Sequence, residues 1–198
     1  VLKEFTVKAE DLSTRLYPVY YYITTAGLDN CISIVAATVE HLDFDFRSGA
    51  PPALAPGSHA HVTLTMKPVG CAVDVRTTSD VHTCVTHVLT FLEGLHGAGF
   101  CHRDIRVDNV IRCGRVYKVI DLELADFSGQ RVFWESDALP PSAKTGPYVF
   151  AHDLWQVGSM IDVLLREVDV TDKTAHVDRF NMMDLLASDL KKGDVSAS

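Results

Sequence analysis

The stretch that most constrains this chain is His102-Arg103-Asp104-Ile105-Arg106-Val107-Asp108-Asn109. It has the form H-R-D-x-x-x-x-N and lies between an amphipathic segment and an apolar run, Val116-Tyr117-Lys118-Val119-Ile120, that ends on another carboxylate, Asp121. From about Asp80 to His96 the apolar residues Val81, Cys84, Val85, Val88, Leu89, Leu92 and Leu95 recur at helical spacing. Ser79 or Asp80 can cap that helix, and Gly97 or Gly99 can stop it. Val110–Arg112 and Val116–Ile120 read as a hairpin around Cys113-Gly114. Any fold of this chain must therefore close a highly charged loop between a buried helix and a strand pair.

The rest of the sequence sets an order of strands first and helices after, which is α+β. Residues 1–7 alternate and favour a strand carrying Lys3. Residues 9–26 place Leu12, Leu16, Val19 and Ile23 at helical spacing, and Pro18 predicts a kink or a split there. Cys31–Val39 is β-rich. Arg47–Ser58, with three prolines and two flanking glycines, reads as a loop, Val62–Met66 as a strand, and Lys67-Pro68-Val69-Gly70 as the turn out of it. Ser136–Pro147 is a polar excursion. Asp153–Leu165 is a strongly apolar helix and Val177–Leu190 a weaker one, and the tail after Lys191 is expected to fray. There are no internal repeats.

In composition the chain of 198 residues is 47% apolar with a formal charge of −8. That balance argues against general binding to nucleic acid or anionic membranes. No apolar run approaches a membrane span. No signal peptide is legible, so an intracellular protein is expected, and the absence of an initial Met leaves room for an upstream segment. The five cysteines, Cys31, Cys71, Cys84, Cys101 and Cys113, form no C-x-x-C pair. They are expected to be reduced and mostly packed. His59 and His61 are assigned to a solvated loop.

An Asp, an Asn and a second Asp in this arrangement suit phosphoryl transfer from ATP. The segment resembles the catalytic loop of eukaryotic-type protein kinases. The resemblance implies a two-lobed fold, with a reduced β-rich N-lobe (1–66), a hinge (67–72) and a mostly helical, shortened C-lobe (73–198). It implies ATP and Mg²⁺ as cofactors. Asp104 would accept or orient the proton of the attacking hydroxyl, and Arg106 would contact the γ-phosphate. Asn109 and Asp121 would hold the metal, which as a hard ion takes oxygen ligands. Asp126-Phe127-Ser128 mimics the family's D-F-G, but Asp121 is preferred because it directly ends a strand-like run. His102 would support the loop, and Arg103 would pair with a phosphate on the following segment, for which Ser136, Ser142 and Thr145 are candidate acceptors.

A second signature, Asp153-Leu154-Trp155-Gln156-Val157-Gly158, resembles the D-x-W-S-x-G that opens the long buried helix of that fold. There Asp153 would receive backbone N–H groups from the catalytic loop and Trp155 would fill the core. Val1-Leu2-Lys3 resembles V-A-I-K, whose lysine binds the α and β phosphates. Met66, Lys67, Pro68 and Val69 would then offer backbone groups to adenine.

The resemblance also has gaps. No G-x-G-x-x-G precedes Lys3, no glutamate stands near Leu16–Tyr20 (Glu10 is the nearby upstream acid), and A-P-E is absent before Asp153. Asp121-Leu122-Glu123 replaces D-F-G, and Glu123 removes the freedom of a glycine. Asp121–Ala125 is also similar to the metal-binding strand end of choline-kinase and aminoglycoside-phosphotransferase-like enzymes. The short stretch after the loop is similar to divergent kinase-like proteins of fungi and oomycetes. Three functions follow as expectations: transfer to Ser or Thr hydroxyls of a protein partner, transfer to a small molecule, or a catalytically inactive binding module.

Overall fold

The computed structural model describes residues 2–40 and 42–193. Val1, at the head of the expected first strand, His41 and the expected frayed tail from 194 onward lie outside the described residues. Strand β1 (Leu2–Lys8) leads into a helical stretch made of α1 (Ala9–Asp11), a π-helical turn (Leu12–Leu16) and α2 (Tyr17–Ala26). The expected break at Pro18 takes the form of that turn. Tyr17 N–H bonds Leu12 O, five residues back, and Pro18 falls in the first turn of α2, where a missing donor costs nothing. The stretch therefore stays helical, and Leu12, Leu16, Val19, Tyr20 and Ile23 still share one buried side.

Strands β2 (Ser33–Val39), β3 (Leu42–Phe44) and β4 (His59–Lys67) complete an antiparallel four-stranded sheet in the order β1-β4-β2-β3. Strand β4 alternates strictly, with Ala60, Val62, Leu64 and Met66 buried. His59 and His61 belong to this strand rather than to a loop, because the alternation that buries Val62 and Leu64 begins before them. Short β3 had no pattern long enough to be read from sequence.

Beyond β5 (Cys71–Ala72), helix α3 spans Thr78–Gly97. Its cap is Thr77, which forms a reciprocal capping box with Asp80, so neither expected residue caps it. Val81, Cys84, Val85, Val88, Phe91, Leu92 and Leu95 form its buried side. Each such side chain contributes about 1.5–3 kcal/mol by leaving water. Strands β6 (Phe100–Cys101), β7 (Val110–Cys113), β8 (Val116–Val119) and β9 (Asp126–Phe127) frame the charged loop. The sheets are β5-β7-β8 and β6-β9. The first region is tied to β8 by Ile32 N–H to Val119 O (3.2 Å) and Val119 N–H to Asn30 O (2.8 Å).

Helices α4 (Phe150–Glu167), α5 (Val170–Ala175) and α6 (Val177–Lys192) close the chain. Gly158 lets α4 approach α6 closely, since a Cβ there would lie 2.7 Å from Ala187 O. The architecture is α+β, with a small sheet-rich region followed by helices, and is compatible with a kinase-like fold. Among the described residues no helix is long and apolar enough to cross a membrane.

Candidate active site

The charged loop 102–109 rests on α4. Asp153, fully buried, accepts the backbone N–H of His102 at Oδ2 (2.8 Å) and of Arg103 at Oδ1 (2.8 Å). It also meets His96 Nε2 (2.8 Å) and the Tyr148 hydroxyl (2.9 Å). Burial alone would raise its pKa, but the His96 contact and the N–H donors outweigh that and hold the carboxyl below its usual range. Asp153 is not a cap: helix α4 begins at Phe150, and Asp153 lies inside it. Gln156 fixes the loop a second time. Its Oε1 accepts Ile105 N–H (2.9 Å) and its Nε2 donates to Arg103 O (3.1 Å) and Ala138 O (3.2 Å). Trp155, expected in the core, is only half-buried; the neighbouring Gln156 takes the buried position.

His102 is buried and connects the loop to the strand end. Carbonyls only accept, so its Nε2–H donates to Ile120 O (3.1 Å), and Nδ1 accepts Asp104 N–H (3.3 Å). Burial pushes its pKa down, keeping the ring neutral in this tautomer. Ile120 N–H bonds Asn109 O (2.9 Å), so both ends of the loop grip the residue preceding Asp121. The Asn109 amide nitrogen donates to Asp104 Oδ2 (2.6 Å) and Asp104 O (2.9 Å). Its Oδ1 is thereby turned away from Asp104. Arg103 (φ 72°) and Asp121 (φ 64°) both adopt left-handed backbone, a costly conformation for residues with a Cβ that the surrounding bonds maintain.

Lys3, on β1, reaches the segment after β8. Its ammonium lies 2.8 Å from Asp121 Oδ1 and 2.8 Å from Glu123 Oε1. Burial alone would lower the Lys3 pKa, but the two carboxylates outweigh it and raise it. Tyr20, Ile34, Leu64, Met66 and Leu122 pack beside Lys3 and Asp121 and leave a cavity of only about 10 Å³. Helix 9–26 contributes Arg15, whose guanidinium bonds Glu123 O and, at 3.4 Å, Ala125 O.

The remaining expected residues lie elsewhere. Arg106 is exposed and turned to Asp108, a contact that raises its pKa. Met66 and Lys67 end β4, while Pro68 and the exposed Val69 form the link to β5. Arg103 is engaged within the protein. Its guanidinium is paired with Asp126 (3.0 Å), donates to Phe127 O and Gln130 O (both 3.2 Å), and lies over the Tyr148 ring. Of the expected phosphate acceptors, Ser142 bonds His152 Nε2 at 2.7 Å. Asp126 thus belongs to the support of the loop, whereas Asp121 meets Lys3.

Sequence reading missed Gln156, Tyr148 and the role of Asp126. Gln156 carried a signal, being a polar residue on the apolar side of the 153–165 helix. Asp126 had none, because its partner Arg103 is remote in sequence, and Tyr148 had none, because it stands in a segment without regular periodicity. No group of three or more His, Cys, Asp or Glu able to hold a metal occurs among the described residues. Asp and Asn side chains carry the oxygen donors that a hard cation takes.

Comparison with known proteins finds partial similarity. The chain is 30% identical over 97 residues to a probable myosin light chain kinase of Dictyostelium discoideum, which covers 43% of the chain and 30% of that protein. Two further probable myosin light chain kinases of that organism match at 29% over 92 residues and 26% over 97 residues. Those matches cover 41% and 43% of the chain, and 26% and 25% of the relatives. The matched part thus spans about a quarter to a third of the relatives' length. No family model matches. The chain is kinase-like over the matched stretch.

Proposed function

We propose that this chain is a two-lobed, kinase-like phosphotransferase that binds Mg-ATP between residues 1–66 and 73–198 and passes the γ-phosphate to a Ser or Thr hydroxyl of a protein. The observation that carries this reading is the convergence of Lys3 on Asp121, beside a loop in which Asn109 already bonds Asp104. Strand β1, the charged loop and the segment after β8 thus supply the residue types that the chemistry needs. The similarity to proteins named as kinases supports it over part of the chain.

In this reading Lys3 attracts phosphate oxygens, and its carboxylate partners keep the ammonium charged. Asn109 Oδ1 and Asp121 would hold Mg²⁺, which when bound neutralises phosphate charge. Asp104 accepts a hydrogen bond from the acceptor hydroxyl and orients its lone pair, while the Asn109 amide fixes the carboxylate's rotamer. His102, Asp153 and Gln156 keep the loop from moving during transfer. Arg106, now on Asp108, would need to exchange that partner to reach a phosphate.

The test is thermal stabilisation by ATP with and without Mg²⁺, together with transfer of labelled γ-phosphate to generic protein substrates. Mg²⁺-dependent stabilisation and labelling of Ser or Thr are expected. Labelling confined to small-molecule acceptors, or binding without transfer, would overturn the protein-kinase reading. Stabilisation indifferent to Mg²⁺ would overturn the metal assignment.

A further inference from the structure

A lysine at the edge of a sheet needs a counter-charge to hold its flexible four-carbon stem in one place. Helix 9–26 packs against the sheet and has acidic residues only in its first turn, Glu10 and Asp11. The partners of Lys3 come instead from the segment after β8, where Asp121 and Glu123 each lie 2.8 Å from its nitrogen. Two residues apart, they grip it from one short stretch. Their environments differ. Asp121 has a second task if it holds a cation. Glu123 Oε1 is buried and, beyond the ion pair, makes no hydrogen bond. Its backbone carbonyl is held by Arg15 from the helix, so the position of Glu123 is itself set.

We propose that Glu123 is the positioning residue for Lys3, holding its ammonium beside Asp121 so that the strand lysine and the metal-binding aspartate are fixed by one segment of chain. The helix takes part through Arg15 and the packing of Tyr20, and supplies no carboxylate to the lysine. It follows that the phosphate-binding lysine stays in place without any carboxylate swinging in from the helix. This inference rests on the nucleotide-binding reading above and assigns Glu123 a role within it.

Two measurements test it. Zero-length carbodiimide cross-linking, read by peptide mass spectrometry, needs no nucleotide. A Lys3–Glu123 isopeptide is expected, and a Lys3–Glu10 or Lys3–Asp11 product in its place would overturn the proposal. The second is the affinity for Mg-ATP of the wild type, Glu123→Gln, Lys3→Met and the double variant, with melting temperatures taken alongside. Glu123→Gln should weaken binding about tenfold in the wild-type background and by less than about twofold beside Lys3→Met, since its effect passes through the lysine. Glu10→Gln should leave affinity unchanged. An equal loss from Glu123→Gln in both backgrounds, or a shift in its Mg²⁺ requirement, would overturn the proposal by showing that Glu123 acts on the cation or the fold. A wild type that cross-links at Lys3–Glu123 yet binds no Mg-ATP would overturn the nucleotide reading and, with it, this role for the lysine. Binding with no such cross-link would overturn the role of Glu123 alone.

Discussion

Two parts of the candidate site are built on opposite principles. Where loop 102–109 meets α4, the polar groups are sealed: Asp153 is fully buried, and Arg103 and Gln156 are each 2% exposed. Where β1 meets the segment after β8, the charged side chains are more open, with exposures of 25% for Lys3, 36% for Asp121 and 30% for Glu123. A sealed network is costly to break because each orphaned group loses its partner far from solvent. An open ion pair is cheap to break because water and salt replace much of it. Stability is therefore concentrated where the loop meets α4, and the more exposed charges gather where β1 meets the segment after β8.

The contrast is tested most severely at Asp153. Asp153→Ala strips the acceptor from two backbone N–H groups, a histidine and a tyrosine at once. A loss on the order of 3 kcal/mol or more is expected, seen as a large drop in the urea midpoint with any activity lost alongside. An unchanged midpoint would break the comparison.

Asp126→Ala comes next. It leaves the Arg103 guanidinium buried beside Tyr148 without its counter-charge, and a cost of about 2–3 kcal/mol is expected. The sequence alone made this substitution look mild, because Asp126 read as a bystander to the metal site. Replacing both partners by apolar residues, Arg103→Met with Asp126→Leu, should recover part of the loss. Thermal unfolding of the two variants decides it.

Acid sharpens the comparison on the same side. His102 is held neutral in the fold, so below its unfolded pKa of about 6.5 the unfolded chain binds a proton that the folded one resists. Stability should be full above that pH and fall as pH drops through it, by at most about 1.4 kcal/mol per pH unit for this one group. Asp153 works in a lower window. Its depressed pKa adds stability that is present above the unfolded carboxylate value of about 3.9 and is lost only as pH falls beneath it. Melting temperatures from pH 8 to 5 should therefore decline for the wild type and decline less for His102→Asn.

The smallest stability effect is expected at Asp121, where the functional effect is largest. Asp121→Ala breaks a half-exposed pair and leaves Lys3 with Glu123, so folding should change by less than about 1 kcal/mol. Nucleotide binding should nevertheless disappear. Asp104→Ala should be similarly mild on folding, should leave ATP affinity nearly intact, and should cut turnover. Calorimetric titration beside unfolding curves measures both, and a melting drop at Asp121 as large as that at Asp153 would show that the two regions are not distinct.

What could be read from the sequence was whatever is encoded in local period and local spacing. Alternation along 59–67 and the 3.6-residue recurrence along 78–97 report which side of an element is buried, so the longer strands, the three long helices and the charged loop were legible, while the short β3, β5, β6 and β9 were not. Asp104, Asn109 and Asp121 stood out as candidates because they lie in one short stretch. Partners far apart in the chain did not. Asp126 on Arg103, Gln156 on Ile105 and Glu123 on Lys3 are pairings between elements, and nothing in a local pattern says which carboxylate a buried or half-buried cation will meet. Packing decides that. Once α4 seats beneath the loop and β1 beside Asp121, only certain polar groups lie within hydrogen-bond reach, and leaving any of them unpaired away from water costs more than the pairing does.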